Sequence, residues 1–264
     1  MKKTVLLFFV TLALLCTSVL GASAAPVRYR WYCMHVKEHK QPSIGAELAF
    51  IEELGGYYID RNHTDASAAD KVIYLTFDAG YENGNVAKIL DILRDENVPA
   101  AFFVLQNLIV KNTDLVKRMV SEGHTVCNHT ARHKDMSQYQ NDAFLTELHA
   151  LEALYREHIG GEMPKYYRPP EGTFSRENLV CANENGYKTI FWSFAYPDWD
   201  NNKQMNTQKA KQIILDNVHN GEVMLLHPTS STNAAILGDV IRALKEQGYR
   251  FGTLDELTGA NANE

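Results

Sequence analysis

The chain has 264 residues, of which 45% are hydrophobic and 22% are charged, as is ordinary for a soluble globular protein. This composition excludes a wholly disordered chain, a collagen-like repeat and a polytopic membrane protein. Lysine and arginine number 26 against 32 acidic residues, and the net charge is −6. Because nucleic-acid binders usually carry a basic excess, we expect no nucleic-acid partner.

The amino terminus has the pattern of a secretory signal peptide. Lys2 and Lys3 precede a long apolar run, and Ala22-Ser23-Ala24 forms a small-residue cleavage site. We therefore expect residues 1–24 to be removed and the mature protein to be secreted across the cytoplasmic membrane. The alternative is an uncleaved segment, which would be the only part of the chain to contact the membrane.

Three cysteines follow the expected cleavage site: Cys33, Cys127 and Cys181. An odd number cannot all pair within one chain, and no metal-binding Cys-x-x-Cys pattern is present. We expect these residues to be small, free thiols inside the protein.

After residue 70, strand-like segments alternate with helix-like segments. Val72–Phe77 is an apolar run typical of a buried strand, and the apolar positions between Val86 and Leu93 define one face of a helix. The same reasoning predicts strands at Ala100–Leu105, Thr125–Asn128, Tyr166-Tyr167, Thr189–Ser193, Val223–Leu226 and Tyr249–Phe251. It predicts helices from Thr113, over 142–158, from Ser175, over Thr207–Asn217 and over Ala234–Gln247. Repeated β-α units of this number favour an α/β fold with a mostly parallel sheet covered by helices, and they suit a barrel, regular or incomplete, better than a five-stranded open sheet.

We predict one domain over residues 71–258, preceded by an extension over residues 25–70. We expect glycines to cap the ends of helices at Gly123, Gly160, Gly186, Gly221 and Gly248. Residues 25–70 do not follow the alternation. The aromatic residues of this segment, among them Trp31 and Tyr57, predict an extension packed on the outside of the domain.

Polar residues gather where the predicted strands end, which is where α/β folds place their sites. They are Asp78, His129, His133, Arg168, Asp198, Trp199 and His227. Each has an ordinary explanation alone, such as a loop carboxylate, a surface charge or a core histidine, but together they predict one site. His129 and His133 are four residues apart, which on a helical turn would place two imidazoles side by side as a metal-binding pair. His124 precedes its strand and is expected at the opposite end.

The ordered segments resemble the five motifs of the polysaccharide deacetylase family, also called NodB-homology or carbohydrate esterase family 4 domains. The motifs begin at Thr76-Phe77-Asp78, Asn128-His129, Arg168-Pro169-Pro170, Asp198-Trp199 and Leu225-Leu226-His227. The resemblance covers about residues 70–257. It implies a distorted (β/α) barrel that removes an N- or O-acetyl group from a glycan. The string Tyr74–Gly84, with Trp31-Tyr32 upstream, is similar to the delta-lactam-biosynthetic de-N-acetylases of spore-forming bacteria.

The resemblance implies a role for each residue. His129 and His133 would bind a divalent cation, often zinc. Asp78 would be the general base, held by Arg168, and His227 the general acid, oriented by Asp198. The backbone N–H of Glu171 would bind the oxyanion and Trp199 would line the sugar groove. Further groove contacts are suggested at Tyr81, Glu82, Asn83, Phe174 and Trp192.

One position departs from the family pattern. Most members have a second aspartate as the third metal ligand, and here that position is Ala79, whose methyl group cannot bind a metal. The delta-lactam subgroup shows a similar departure. The cation would be held more weakly by two histidines with water and substrate, or Asp78 would become a ligand, or Glu82 or Glu171 would reach in. We expect weaker zinc retention than in a relative with both aspartates.

The narrower resemblance implies a substrate. It is peptidoglycan, with the acetyl group taken from peptide-stripped N-acetylmuramic acid on the way to muramic δ-lactam in the spore cortex. The site of action would then be the cell wall or the space between the forespore membranes. Two alternatives remain open: a deacetylase of a chitin-like or xylan chain, and an inactive glycan-binding wall protein.

Overall fold

The computed structural model describes residues 26–65 and 68–260. The predicted signal peptide, residues 1–24, lies outside the described residues. Among the helices that are described, none is long and apolar enough to cross a membrane.

The strands and helices alternate along most of the described chain. The strands are β1 (Tyr29–Arg30), β2 (Gly56–Tyr57), β3 (Lys71–Ala79), β4 (Ala101–Val104), β5 (Thr125–Asn128), β6 (Tyr166–Tyr167), β7 (Thr173–Phe174), β8 (Lys188–Ile190), β9 (Phe194–Ala195), β10 (Glu222–Leu226) and β11 (Tyr249–Phe251). The helices are α1 (Phe50–Glu53), α2 (Val86–Asp95), α3 (Gln106–Lys111), α4 (Thr113–Ser121), α5 (Asn141–His158), α6 (Arg176–Glu184), α7 (Thr207–Asn217), α8 (Ser231–Glu246) and α9 (Leu254–Thr258).

The main sheet is parallel and curls into a barrel. Its strand order is β2-β8-β6-β5-β4-β3-β10-β9, and β11 also pairs with β3. The segment 188–195 pairs with β6 at its beginning and with β10 at its end, so the sheet returns on itself. The predicted distorted (β/α) barrel is confirmed.

Two apolar layers hold the barrel together, because successive side chains of a strand point to opposite faces. On β3, Ile73, Leu75 and Phe77 belong to the large cluster shared with the covering helices. Val72 and Tyr74 belong to a second cluster that also contains Phe103 of β4. The predicted face of α2 is confirmed, since Val86, Ile89, Leu90 and Leu93 are all fully buried.

The amino-terminal segment is built into the fold. β2 pairs in parallel with β8 in the main sheet, and β1 pairs antiparallel with β7. Trp31 is only 3% exposed and packs in an apolar cluster with Phe191. The prediction that residues 25–70 pack outside the domain is therefore wrong for β1, Trp31 and β2.

The predicted positions of glycines and cysteines have different outcomes. Gly123 and Gly248 have the left-handed φ expected at helix ends. Gly221 also has a positive φ but caps no helix. A Cβ there would lie 2.6 Å from the carbonyl oxygen of Asp60, so glycine permits a close backbone approach. Cys33, Cys127 and Cys181 are free thiols, as predicted, but only Cys127 and Cys181 are buried, whereas Cys33 is half-buried.

Candidate active site

A cavity of about 560 Å³ opens where the parallel strands end, within the size range of small-ligand sites. The residues lining it are Arg30, Trp31, Asp78, His133, Glu171, Trp192, Ala195, Tyr196, Trp199, Leu225 and His227. Polar residues from five separate segments therefore meet in one cleft. His124 lies elsewhere: it is buried at the start of β5, where its Nδ1 accepts a hydrogen bond from Ala100 N.

Asp78, at the end of β3, forms the first charge pair of the cleft. Its Oδ1 accepts a hydrogen bond from Arg168 Nη1 at 2.8 Å. Burial opposes ionisation of this carboxyl, but the facing histidines and the Arg168 guanidinium outweigh burial and lower the pKa of Asp78. Asp78 is therefore a carboxylate near neutral pH.

The Arg168 side chain is fully buried and is held from several directions. Its Nε donates to Ile190 O at 2.9 Å, and its Nη2 donates to Thr76 Oγ1 at 2.9 Å. The guanidinium carbon lies 4.1 Å from the centre of the Phe103 ring. A planar cation fixed in this way can set the position as well as the charge of Asp78.

His129 is held in the neutral form that can bind a metal. Its Nδ1 lies 2.8 Å from Arg168 O, and because a carbonyl only accepts, Nδ1 carries the proton. Burial lowers the pKa of His129 to about 4. The lone pair of Nε2 therefore lies free, 3.5 Å from Asp78 Oδ2, with two acceptor atoms facing each other.

His133 lies beside His129, and the pair is formed by a loop instead of a helical turn. Both residues belong to a loop in which Thr130 and His133 have φ of 69° and 55°. This conformation is costly for a β-branched residue and persists only where the surroundings impose it. Here Asn128 Oδ1 accepts from Thr130 N, and Thr130 Oγ1 accepts from His133 N. The two rings meet with their centres 5.0 Å apart.

A divalent cation fits this loop only in part. His129 and His133 supply two imidazoles of the type that zinc prefers. Ala79 is fully buried in an apolar cluster and supplies no ligand. Within residues 26–65 and 68–260, no group of three His, Cys, Asp or Glu side chains is arranged to hold a metal ion. The residues therefore suit an open cation site, completed by solvent or substrate, and not a closed structural one.

His227, at the end of β10, forms the second charge pair. Its Nδ1 lies 2.7 Å from Asp198 Oδ1, and its backbone N donates to Asp198 Oδ2 at 2.8 Å. Burial disfavours the imidazolium, but the Asp198 carboxylate outweighs burial and raises the pKa of His227. Asn233 donates to Asp198 Oδ2 at 2.6 Å and to His227 O at 3.0 Å, which fixes both partners.

The structure places only some of the predicted substrate contacts in the wall of the cleft. Glu171 and Trp199 line the cleft, and Trp199 is 62% exposed. Tyr81 and Asn83 do not line it, and the Asn83 amide instead donates to Thr229 O at 2.8 Å.

Of the further groove contacts suggested by the sequence, again only some line the cleft. Trp192 lines the cleft, whereas Phe174 is buried in an apolar cluster. Glu82 does not line the cleft, and its Oε1 accepts a hydrogen bond from Gly84 N.

Sequence reasoning missed several residues of the site. Arg30 and Trp31 reach the cleft from β1 and the residue after it, and Tyr196 reaches it from beyond β9. Asn233 supports Asp198 from the first turn of α8. The aromatic Trp31-Tyr32 pair was the only signal, because none of these residues follows a long strand.

Comparison with known proteins agrees with this geometry. The sequence model of the polysaccharide deacetylase family matches residues 65–190. The chain is 36% identical over 228 residues to the peptidoglycan-N-acetylmuramic acid deacetylase PdaA of Bacillus subtilis, covering 86% of this chain and 84% of that protein. It is 40% identical over 255 residues to an uncharacterised 30.6 kDa protein of Geobacillus stearothermophilus, covering 96% of this chain and 92% of that protein.

A solved structure extends the likeness to three dimensions. The structure of Bacillus subtilis PdaA, described as a family 4 carbohydrate esterase, matches with a TM-score of 0.82 and 35% identity. The match covers 89% of this chain and 98% of that one. Motifs, barrel and relatives lead to one conclusion: the chain belongs to the polysaccharide deacetylase family and is a deacetylating hydrolase.

Proposed function

We propose that this protein hydrolyses the acetamide of N-acetylmuramic acid in peptidoglycan strands from which the peptide has been removed. The observation that carries the proposal is the similarity, along most of the chain, to the N-acetylmuramic acid deacetylase of Bacillus subtilis. It is supported by the two charge pairs, Asp78–Arg168 and Asp198–His227, which meet in one cleft.

Asp78 is the general base. As a carboxylate near neutral pH, it takes a proton from the water that attacks the acetyl carbon. Arg168 holds one carboxylate oxygen, which leaves Oδ2 directed towards the His129 side of the cleft. Because His129 is neutral near pH 7, Arg168 is the permanent cation that keeps Asp78 ionised.

His227 is the general acid. Its Nδ1 is bound to Asp198, so Nε2 is the ring nitrogen available to substrate. As the C–N bond breaks, Nε2 donates a proton to the nitrogen, which leaves as a neutral amine while the acyl group becomes acetate. The raised pKa of His227, caused by the Asp198 carboxylate, favours the protonated ring that can donate this proton.

His129 and His133 are the residues that would hold a divalent cation, which we propose to be zinc. When bound, such an ion supplies Lewis-acid polarisation of the acetyl carbonyl. The backbone N–H of Glu171, at a left-handed φ of 55°, is proposed as an oxyanion donor. The exposed Trp199 ring is proposed as a wall for the sugar.

We further propose that the protein is secreted and acts during formation of the spore cortex. The amine that deacetylation frees lies next to the lactyl carboxylate of the same sugar, and closure between them gives muramic δ-lactam. The support for export is the amino-terminal sequence pattern, and the support for the cortex is the narrower resemblance.

Acetate release tests the proposal. The chain lacking residues 1–24 is incubated with peptide-free peptidoglycan strands, with chitin oligomers alongside, and with a chelator control. We expect release from the muramic strands that is lost with chelator, restored by zinc and abolished in Asp78→Asn. Release from chitin alone would favour the other-glycan alternative. Glycan binding without release, from folded protein supplied with zinc, would favour an inactive wall protein.

A further inference from the structure

We infer that Arg30 is a binding site for the substrate carboxylate, namely the lactyl group of a muramic residue without its peptide. The inference rests on the proposed function and adds the residue that selects this sugar.

Arg30 is a cation in the wall of the cleft that has no ion-pair partner among the described residues. It lies in β1 and lines the cavity together with Asp78 and His227. Its side chain forms no ion pair or hydrogen bond with any residue in the described part of the chain. Arg28, two residues earlier, is instead paired, with its Nε 2.9 Å from Asp135 Oδ2. Of two arginines on one short segment, the one in the cleft is the one without a partner in residues 26–65 and 68–260.

The backbone places Arg30 firmly next to the proposed oxyanion segment. Arg30 stands opposite Thr173 in the β1–β7 ladder, and Trp31 N donates to Gly172 O at 2.7 Å. A Cβ on Gly172 would lie 3.0 Å from Trp31 Cβ, so the residues that flank β1 and β7 also approach closely. Arg30 is thus held at a rigid edge, as a specificity residue requires.

The other permanently charged side chains of the cleft do not offer a site for an anion. Arg168 is fully buried and already bonded to Asp78. Glu171 adds a second carboxylate to the wall. Among the described residues that line the cleft, Arg30 is the only arginine or lysine. An acidic substrate group that enters the cleft therefore has Arg30 as its permanently charged partner.

The chemistry of the substrate supplies the matching anion. In a muramic residue the lactyl ether is attached to the carbon next to the one that bears the acetamide. Its carboxylate is charged only after the peptide has been removed, because the attached peptide turns it into an amide. A guanidinium binds a carboxylate through two parallel hydrogen bonds. Arg30 would therefore distinguish muramic acid from glucosamine, and stripped muramic acid from peptide-bearing muramic acid.

The test compares two substrates that differ only in this charge: peptide-free strands, and the same strands with the lactyl carboxylates converted to methylamides. We expect wild-type protein to have a higher kcat/KM on the carboxylate strands. Arg30→Gln should reduce that preference by about 10- to 100-fold, as for loss of a charged hydrogen bond. Arg30→Lys should keep part of it. The matched control Arg28→Gln removes the neighbouring charge and should keep all of it.

Three outcomes of the acetate-release assay distinguish failure of the Arg30 assignment from failure of the proposed function. If wild-type protein prefers the carboxylate strands and Arg30→Gln keeps the full preference, the assignment of Arg30 is overturned while the proposed function stands. If wild-type protein shows equal kcat/KM on both strands, no carboxylate site exists and the inference is likewise overturned. If wild-type protein releases no acetate from either strand, the proposed function fails and the inference with it. Thermal midpoints verify that each variant is folded.

Discussion

The pair formed by Asp198 and His227 makes a quantitative prediction about pH. Asp198→Asn preserves the size of the side chain and removes its charge. In the wild-type protein both carboxylate oxygens are used: Oδ1 faces His227 Nδ1, and Oδ2 accepts from His227 N and Asn233. An amide cannot accept at both positions, so the variant loses the charge and one acceptor together.

The expected magnitude follows from the separation of the pair. An opposite charge at this range shifts a pKa by about 1–3 units. In His227 burial lowers the pKa and Asp198 raises it, so removal of Asp198 leaves burial opposed only by the smaller attraction of Asp78. The acid must be protonated to donate, and its protonated form is lost as pH rises through the pKa. The alkaline limb of kcat/KM should therefore move to lower pH by about 1–3 units.

The rate should fall as well, because the proton donor is depleted and less well oriented. Loss of general acid catalysis lowers kcat by about 10²–10⁴-fold, which corresponds to about 3–5 kcal/mol of transition-state stabilisation. Acetate release from muramic strands, measured as a function of pH, gives both quantities. Asp200→Asn is the matched control, because among the described residues the Asp200 carboxylate accepts a hydrogen bond only from Asn202 N and does not contact His227. An alkaline limb that stays in place in Asp198→Asn would refute the assignment of His227 as the acid.

Three further substitutions test the cation site, the buried arginine and the glycine that lies against the Trp192 ring. Ala79→Asp puts a carboxylate at a fully buried position, so the thermal midpoint of the variant should fall in chelator. Added zinc should raise the midpoint of the variant more than that of the wild type, and equal rises in scanning fluorimetry would contradict this. Arg168→Met leaves its buried carboxylate partner without a cation and should lower the free energy of unfolding by about 3–5 kcal/mol in denaturant titrations, where an unchanged midpoint would count against the pair. Gly172→Ala places a Cβ 2.9 Å from the Trp192 ring and should lower the free energy of unfolding by about 1–3 kcal/mol in the same denaturant titrations. Gly84→Ala, at a left-handed φ in open space, separates backbone strain from the collision, and an equal cost in both would mean that the ring moves aside.

Regular elements could be predicted because their periodicity is local. β3 and α2 bury the residues that the sequence patterns indicate. Helix α3 was missed because it follows β4 after a single residue, Leu105, whose side chain makes no capping hydrogen bond. The predicted strand Thr189–Ser193 ends early in the structure: β8 stops at Ile190, and a separate strand, β9, begins at Phe194 and pairs with a different partner. Nothing in the local sequence records such a change of partner.

The amino-terminal strands could not be predicted, because their signals lie elsewhere in the chain. β1 and β2 are two residues each, too short for an alternating pattern. β1 is a strand only because Thr173 and Phe174 pair with it, and β2 only because β8 does. A segment of this kind looks like an extension in the sequence and becomes part of the wall of the cleft in the fold.

The candidate site was predictable as a set of residues more than as a geometry. Parallel strands bring their carboxyl ends to one edge, so Asp78, Arg168 and His227 meet as expected. The spacing of His129 and His133 indicated a pair, but not the strained loop that forms it. That loop depends on side-chain bonds from distant elements, including those of Glu147 of α5 to the backbone and side chain of Arg132.

Arg168 joins the closure of the barrel to the chemistry. It follows β6, and its guanidinium binds Asp78 and Thr76 of β3 as well as the carbonyls of Ile190 and Phe191. Those two carbonyls lie where the segment 188–195 changes from pairing with β6 to pairing with β10. The Arg168 guanidinium therefore donates hydrogen bonds to the backbone carbonyls between β8 and β9, where the sheet returns on itself, and also keeps the base ionised. A substitution that moves these carbonyls should reduce activity even where it leaves every residue of the cleft unchanged, because the base loses its fixed partner.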